Sequence, residues 1–493
     1  MSINIFKAFV IKNFTNKFIK LKPEVYVFAV SSFFYIALWI INPTNKIIVA
    51  SYFILYLVIN LKLKDFRLSL LVTFLLSLIV FTGKTYSIQL IPPGIFPKNL
   101  YPDGHVLLFI ISIRHVIAVL MAFILLSDVV KFPNKFNLSL LDKLLCLYFF
   151  WIIFTDLCVS NKPEFSLLYS LASLDSLIMY LYIRFVVRVD KDLKKMIFWV
   201  IISMALFQCV ISLQQFVYSA PTHNNLEYPV GISDFGSSPD ELPFRFRPMG
   251  TFMHTNILAA WLAFYASIIF PLFYRKFSNF ILGVYFVVLT ILVLTLSRGA
   301  WLGYSASVFF TIYLFEKLKQ KRISKTFQKV LWRYLILGIL MSLFFVLPRL
   351  TSSINAFIWD EGGLFLRSSQ IMEIVEVIKM NPVFGVGSQM SIQEAIKINP
   401  SGVYSQAPLT VHNWHFLVMA EHGIPALAVF LIIFITFLRR ESTNILESRL
   451  IKYEDYMKIG FFSGMISIFI VGLFQPFLIM APIFLFFGLF QDV

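Results

Sequence analysis

Charge is what this chain has least of. Only 14% of its 493 residues are Asp, Glu, Lys or Arg, against roughly a quarter in water-soluble domains. A hydrated surface cannot be assembled from so few charges, so lipid is left as the solvent for most of the chain. Cysteine is scarcer still. Cys146, Cys158 and Cys209 all fall inside apolar stretches with no paired ligand spacing, which excludes a disulfide framework and a zinc site. Sustained alternation of apolar and polar residues is also missing, and a membrane barrel is excluded with it. No heptad, tandem repeat or low-complexity tract is visible.

Apolar side chains fill the space instead: 59% of residues are hydrophobic, 56 of them Phe, and the mean hydropathy is +0.80. Uninterrupted apolar runs of about 17–25 residues, enough for a helix to cross the hydrocarbon layer, recur from end to end. Backbone facing lipid must satisfy its own hydrogen bonds, so these runs are helices. Spans are expected near 24–42, 46–60, 68–82, 105–127, 139–159, 165–187, 193–219, 251–273, 278–296, 299–315, 334–348, 411–437, 457–474 and 476–491. Because four of them are short, the expected fold is an all-α polytopic membrane protein of about 12–14 transmembrane helices. Four regions follow: N-terminal helices over 1–219, core helices with an external loop (220–250) over 220–348, a large external loop over 349–410, and C-terminal helices over 411–493.

The net charge of +16 does not point to nucleic acid. Lys and Arg fall in short clusters between apolar runs, the mark of cytoplasmic loops. Most of the 42 lie inside if the N-terminus is cytoplasmic, and the alternation then holds across the whole chain. The expected topology puts both termini in the cytoplasm and both long loops outside. Lys7, Lys12, Lys17, Lys20 and Lys22 then lie on anionic lipid, not in a cleaved signal. The second loop carries a helical pattern over Leu366 to Met380. Ile371, Ile374, Val375 and Ile378 share one face, with Glu373 and Glu376 on the polar side. Such a helix rests on the membrane or caps the spans.

Polar groups concentrate at the expected external ends of spans. They lie in Arg245-Phe-Arg247-Pro-Met-Gly250-Thr-Phe-Met-His254-Thr-Asn256, in Ser297-Arg298-Gly299, and at Arg367. Two further stretches are Asn381-Pro-Val-Phe-Gly385-Val-Gly387 and His412-Asn413-Trp-His415, which runs on to Glu421-His422-Gly423. Each has a plain alternative. Arg298 can snorkel to headgroups, His254 and Asn256 can cap a helix, and the two glycines can simply turn the chain. Arg114, His115 and Asp175 differ in falling near mid-span, where an arginine is expensive and needs a partner or a cavity. Asp175 and Asp156 are the expected partners.

The pieces "LSRGAWLG", "NPVFGVG" and "VHNWHFLVMAEHGIPAL", in that order after "RPMGTFMHTNILAA", resemble the O-antigen ligase and polymerase superfamily over roughly residues 245–437. The resemblance implies a metal-independent membrane glycosyltransferase with no cofactor. It implies a donor glycan on undecaprenyl diphosphate, an acceptor hydroxyl on lipid A-core or a growing glycan, and a site at the external face of a bacterial inner membrane. By the same resemblance Arg247 and Arg298 hold the diphosphate and His412 is the base. Arg245, Asn256, Arg367, His415, Glu421 and Arg114 are possible substrate contacts. Guanidinium groups suit that role because they bind phosphate oxygens bidentately and stay charged. A neutral histidine can accept a proton from a sugar hydroxyl. A repeat-unit polymerase and a protein O-oligosaccharyltransferase share these motifs. A secondary transporter or lipid flippase is the competing class, although transporters place their sites near the midplane between repeated halves.

Overall fold

The apolar runs become helices whose ends are set by short polar side chains. The computed structural model describes residues 21–79, 83–89, 106–222, 224–227, 247–252, 254–274, 278–318, 363–406, 410–447, 453–475 and 480–490. The expected span at 334–348, Arg245, most of the 220–250 loop and the basic N-terminal segment before Leu21 lie outside the described residues. The first helices are α1 (Pro23–Ile41), α2 (Asn45–Leu63) and α3 (Phe66–Ser77), followed by a hairpin of β1 (Gly83–Gln89) and β2 (Val106–Ser112). Then come α4 (Ile113–Lys131), α5 (Leu140–Cys158), α6 (Pro163–Phe185), α7 (Lys191–Tyr218), α8 (Thr255–Ile269), α9 (Asn279–Leu294) and α10 (Arg298–Lys317). Past the undescribed stretch lie α11 (Gly363–Met380), α12 (Ser391–Ile398), α13 (Val403–Gln406), α14 (Trp414–Glu447), α15 (Tyr453–Gly472) and α16 (Met480–Phe490).

Local sequence explains the boundaries. Asp65 and Asp190 each accept two backbone N–H groups at the starts of α3 and α7, and Ser139 with Asp142 closes a reciprocal cap on α5. Eight helices are long and apolar enough to cross a membrane among the described residues, and the chain is an all-α polytopic membrane protein with one small hairpin. That hairpin corrects one boundary. Residues 106–112, expected as the start of a span at 105–127, pair with β1, so the helix begins only at Ile113.

The helices are not equivalent. The apolar stretch Thr255–Tyr274, which contains α8, is 89% buried within the protein and Lys46–Leu63 of α2 only 22%, so α8 runs through the centre while α2 faces outward. Close approach of α15 to α8 and α10 depends on small residues at the contacts, the usual solution where lipid removes the hydrophobic drive between helices. A Cβ on Gly460 of α15 would sit 2.4 Å from the Ile268 carbonyl oxygen, and one on Gly303 of α10 would sit 2.6 Å from that of Ser467. Hydroxyl pairs join the same helices: Ser267 with Ser307 at 2.6 Å and Thr311 with Ser463 at 2.7 Å.

The large loop forms its own apolar cluster. Ile374, Val377 and Ile378 of α11 pack with Met390, Ile392, Tyr404, Val411 and the start of α14. The helix therefore caps the spans, as one of its two expected placements had it. Glu373 departs from the expected polar side. It is half-buried and its carboxylate accepts the backbone N–H groups of Val403 (2.7 Å) and Tyr404 (3.3 Å), capping α13. Glu376 is exposed and pairs with Lys379.

Candidate functional site

Two polar constellations lie at one end of the bundle, where α1, α5, α7 and α9 end and α6, α8, α10 and α14 begin. The first is built on the stretch before α8. Gln208 and Gln215 stand two turns apart on α7 and so face the same way. Gln215 Oε1 accepts the N–H groups of Met249 (3.0 Å) and Gly250 (2.9 Å), and its amide donates to Gly250 O (2.8 Å). Gln208 Oε1 accepts from Thr251 N (3.1 Å) while its amide donates to Thr251 Oγ1 (2.7 Å). Buried backbone outside a helix must find partners; here two side-chain amides supply them. Gly250 has φ +62°, and a Cβ there would stand 2.1 Å from Gln208 Oε1, so only glycine fits this turn.

That stretch sets Arg247. Its Nε donates to Thr295 O at 2.7 Å and its Nη2 to Asn256 Oδ1 at 3.1 Å. One guanidinium thus ties the loop to the start of α8 and to the turn after α9. Asn256, a candidate substrate contact, is buried and spends its side-chain oxygen on Arg247. Three residues beyond Thr295, Arg298 opens α10; it is exposed and has no ionic or hydrogen-bonded partner among the described residues.

His254 caps α8, its Nδ1 accepting the Asn256 N–H at 3.0 Å. Burial, then the charges of Arg247, His412 and Arg367, pushes this ring down to about 4. His412 just before α14 behaves alike: burial and then Arg367 bring it down to about 4. Its Nδ1 is enclosed by protein and has no hydrogen-bond partner among the described residues. The charges of Arg247, Arg367 and His412 act on His254, and that of Arg367 acts on His412, so residues from three distant segments share one electrostatic neighbourhood. Arg367 also lies inside α11, which begins before the expected Leu366.

The other candidates sit elsewhere or do other work. His415 does not share a helical face with His412, because α14 starts only at Trp414. Its ring stands edge-on to Phe469 (5.0 Å) and Trp414 (5.3 Å), and neither nitrogen is hydrogen-bonded among the described residues. Arg114 is the second residue of α4, not a mid-span residue, because the helix starts late. Its Nε lies 3.2 Å from Asp175 Oδ2, one of the two expected pairings. Glu421 accepts from Gln389 N (2.9 Å) and Ser391 Oγ (3.1 Å), and orients neither an arginine nor a histidine among the described residues.

Glu421 belongs to the second constellation, a latch between the large loop and α14. Gly423 breaks that helix with φ +83° and ψ 168°, and Pro425 has no N–H. The freed carbonyls of Ala420 and Glu421 accept from Val386 N (3.0 Å) and Gly387 N (2.8 Å), while Ile424 N donates to Pro382 O (2.8 Å). The loop glycines are turn residues, with φ +67° at Gly385 and +89° at Gly387. Beside them Asp156 accepts from Ser388 N (2.7 Å), Ser388 Oγ (3.0 Å) and Ser170 Oγ. His422 fills the rest, with Thr155 Oγ1 2.8 Å from Nδ1 and Ser388 Oγ 3.3 Å from Nε2.

Gln208, Gln215 and His422 escaped the sequence reading as positioning residues. Amides spaced seven apart inside an apolar run were the available signal, since polar residues at membrane depth need partners.

An O-antigen ligase family model matches residues 283–431. The match is narrower than the motif resemblance and leaves Arg247 and Asn256 ahead of it. No curated protein matches the chain.

Proposed function

We propose that this multi-pass membrane protein, whose residues 283–431 match an O-antigen ligase family model, is a membrane glycosyltransferase that transfers a glycan from undecaprenyl diphosphate to an acceptor hydroxyl at the external face. The observation that carries the reading is the meeting of Arg247, Arg367, His254 and His412 from three distant segments, with Arg298 on the turn that Arg247 contacts. Their positive charge suits a lipid diphosphate, and no hydrogen bond among the described residues engages the His412 ring, whose Nδ1 is enclosed by protein and whose Nε2 is the nitrogen that would face a substrate.

In this mechanism His412 is neutral at physiological pH and takes the proton of the attacking hydroxyl as its oxygen bonds to the anomeric carbon. The bond from that carbon to the diphosphate oxygen breaks, and the electron pair leaves with the phosphate. Arg298, Arg247 and Arg367 stabilise the charge that develops there, the place where fixed charges contribute most to catalysis. They fill the role a divalent metal takes in other glycosyl transfers. A bound diphosphate also offsets the field of Arg367, which lifts His412 back toward the range of an effective base.

The charge distribution supports a cytoplasmic N-terminus and an external site, and all the helix ends around the two constellations obey the same alternation. The ligase reading, with lipid A-core as acceptor, is preferred to a polymerase on the family match. Residues outside the cluster support the transporter reading less well, because Arg114 and Asp175 satisfy each other.

The test is reconstitution in liposomes with undecaprenyl-diphosphate glycan and lipid A-core. Arg298→Ala and His412→Ala are each expected to lower transfer by about a hundredfold or more, the scale of general-base and electrostatic contributions. Full transfer by both variants would sink the assignment, and loss of wild-type transfer on adding chelator would sink metal independence.

A further inference from the structure

His254 is bound on one side only. Its Nδ1 accepts the backbone N–H of Asn256 at 3.0 Å. A backbone amide can only donate, so Nδ1 carries the lone pair. With the ring neutral, the remaining proton must sit on Nε2. Nε2 has no hydrogen-bond partner among the described residues, and the ring lies in the field of Arg247, Arg367 and His412. The helix cap thus fixes a tautomer that leaves an N–H unengaged in a ring close enough to Arg247 and Arg367 to feel both charges.

We propose that the Nε2–H of His254 donates a hydrogen bond to a phosphate oxygen of the polyprenyl diphosphate, the helix cap acting to hold it in the donor tautomer. This deepens the functional reading above and rests on it. The ring is a poor base, because Nδ1 is already engaged and Nε2 is protonated. It therefore complements His412 and does not duplicate it: one histidine accepts a proton from the acceptor sugar, the other donates to the leaving diphosphate. A neutral N–H also suits a pocket already holding arginines, since it adds a directed donor without adding like charge.

Two isosteric substitutions separate the cap from the donor. His254→Asn places an amide oxygen where Nδ1 was, so the cap remains and Nε2–H is lost. His254→Gln places an amide nitrogen where Nε2 was, so the donor remains and the cap is lost. Full-length protein in nanodiscs is titrated with undecaprenyl diphosphate, and its melting temperature is recorded in parallel. The expected result is an affinity about tenfold weaker for H254N at unchanged melting temperature, with H254Q closer to wild type in affinity but melting lower. Wild-type affinity in H254N, or equal losses of affinity in the two variants, overturns the donor role. If wild type itself fails to bind undecaprenyl diphosphate, the functional reading falls and takes the donor role with it.

Discussion

The two polar constellations at this end of the bundle use the same chemistry to opposite effect. In the latch, Asp156, Glu421 and His422 are buried, and each finds its partners within the protein. In the cluster, among the described residues, His412 and Arg298 are left without partners, and His254 is bound at one nitrogen only. A satisfied network holds segments together, whereas an unsatisfied one keeps donors and acceptors available for something else. A carboxylate beside a histidine deep in a helix, as at Asp156 and His422, would ordinarily be the first candidate for catalysis. Here the hydrogen-bond inventory assigns it to holding the loop on α14, and so to fixing where His412, ahead of that helix, and Arg367, on the loop helix, stand relative to each other.

Breaking the latch should have the largest effect. Gly423→Ala places a Cβ 2.0 Å from the Val383 carbonyl oxygen at a φ of +83°, a conformation that only glycine adopts without strain. The expected outcome is failure to yield folded protein, read as loss of the monodisperse peak on size exclusion in detergent. A G423A protein that melts like wild type would mean the latch is not what orders the loop. Breaking the cluster should instead spare the fold. His412→Ala is expected to keep its melting temperature while transfer falls about a hundredfold or more; parallel loss of both would erase the distinction between the regions.

A smaller loss is expected from Asn256→Ala, which takes away one of the two hydrogen bonds holding Arg247. Transfer should fall about tenfold, mainly as a raised KM for the donor, by loss of one charge-assisted bond. An unchanged KM would remove Arg247 from donor binding.

Titration sharpens the comparison further. Burial and Arg367 hold His412 down to about 4, and a lowered histidine value means the neutral form persists to lower pH. The acid limb of kcat/KM, which reports the free enzyme, should therefore fall near pH 4 and not near 6.5. The corresponding limb of kcat should lie higher, because bound diphosphate offsets Arg367. An acid limb of kcat/KM at 6.5 would take His412 out of the role of base.

The smallest effect is expected away from both constellations. Exchanging the charges as Arg114→Asp with Asp175→Arg should restore the melting temperature lost in either single variant, a difference of about 1 kcal/mol or less for a pair that is partly exposed. Absence of rescue would mean the pair does not hold α4 to α6.

How much of this was legible in the sequence follows from the physics of each level. Length and hydropathy dictate spans because lipid leaves the backbone no other partner, and for that reason most boundaries were found to within a few residues. Glycine spacing in Gly385-Val-Gly387 marked a turn. Arg247, Arg298 and His412 stood out as charges or rings at helix ends. Hydropathy cannot separate a strand from a helix within a short apolar run, however, and so the start of α4 was placed too early. Nor can spacing tell which polar groups find each other. Glu421 and His422 are as prominent in the sequence as His412, but the kink at Gly423 frees carbonyls that draw the loop onto α14 and so occupies them. Only the tertiary structure decided which histidines were used up and which remained. The satisfaction of a buried polar atom depends on neighbours hundreds of residues away, and no local pattern encodes them.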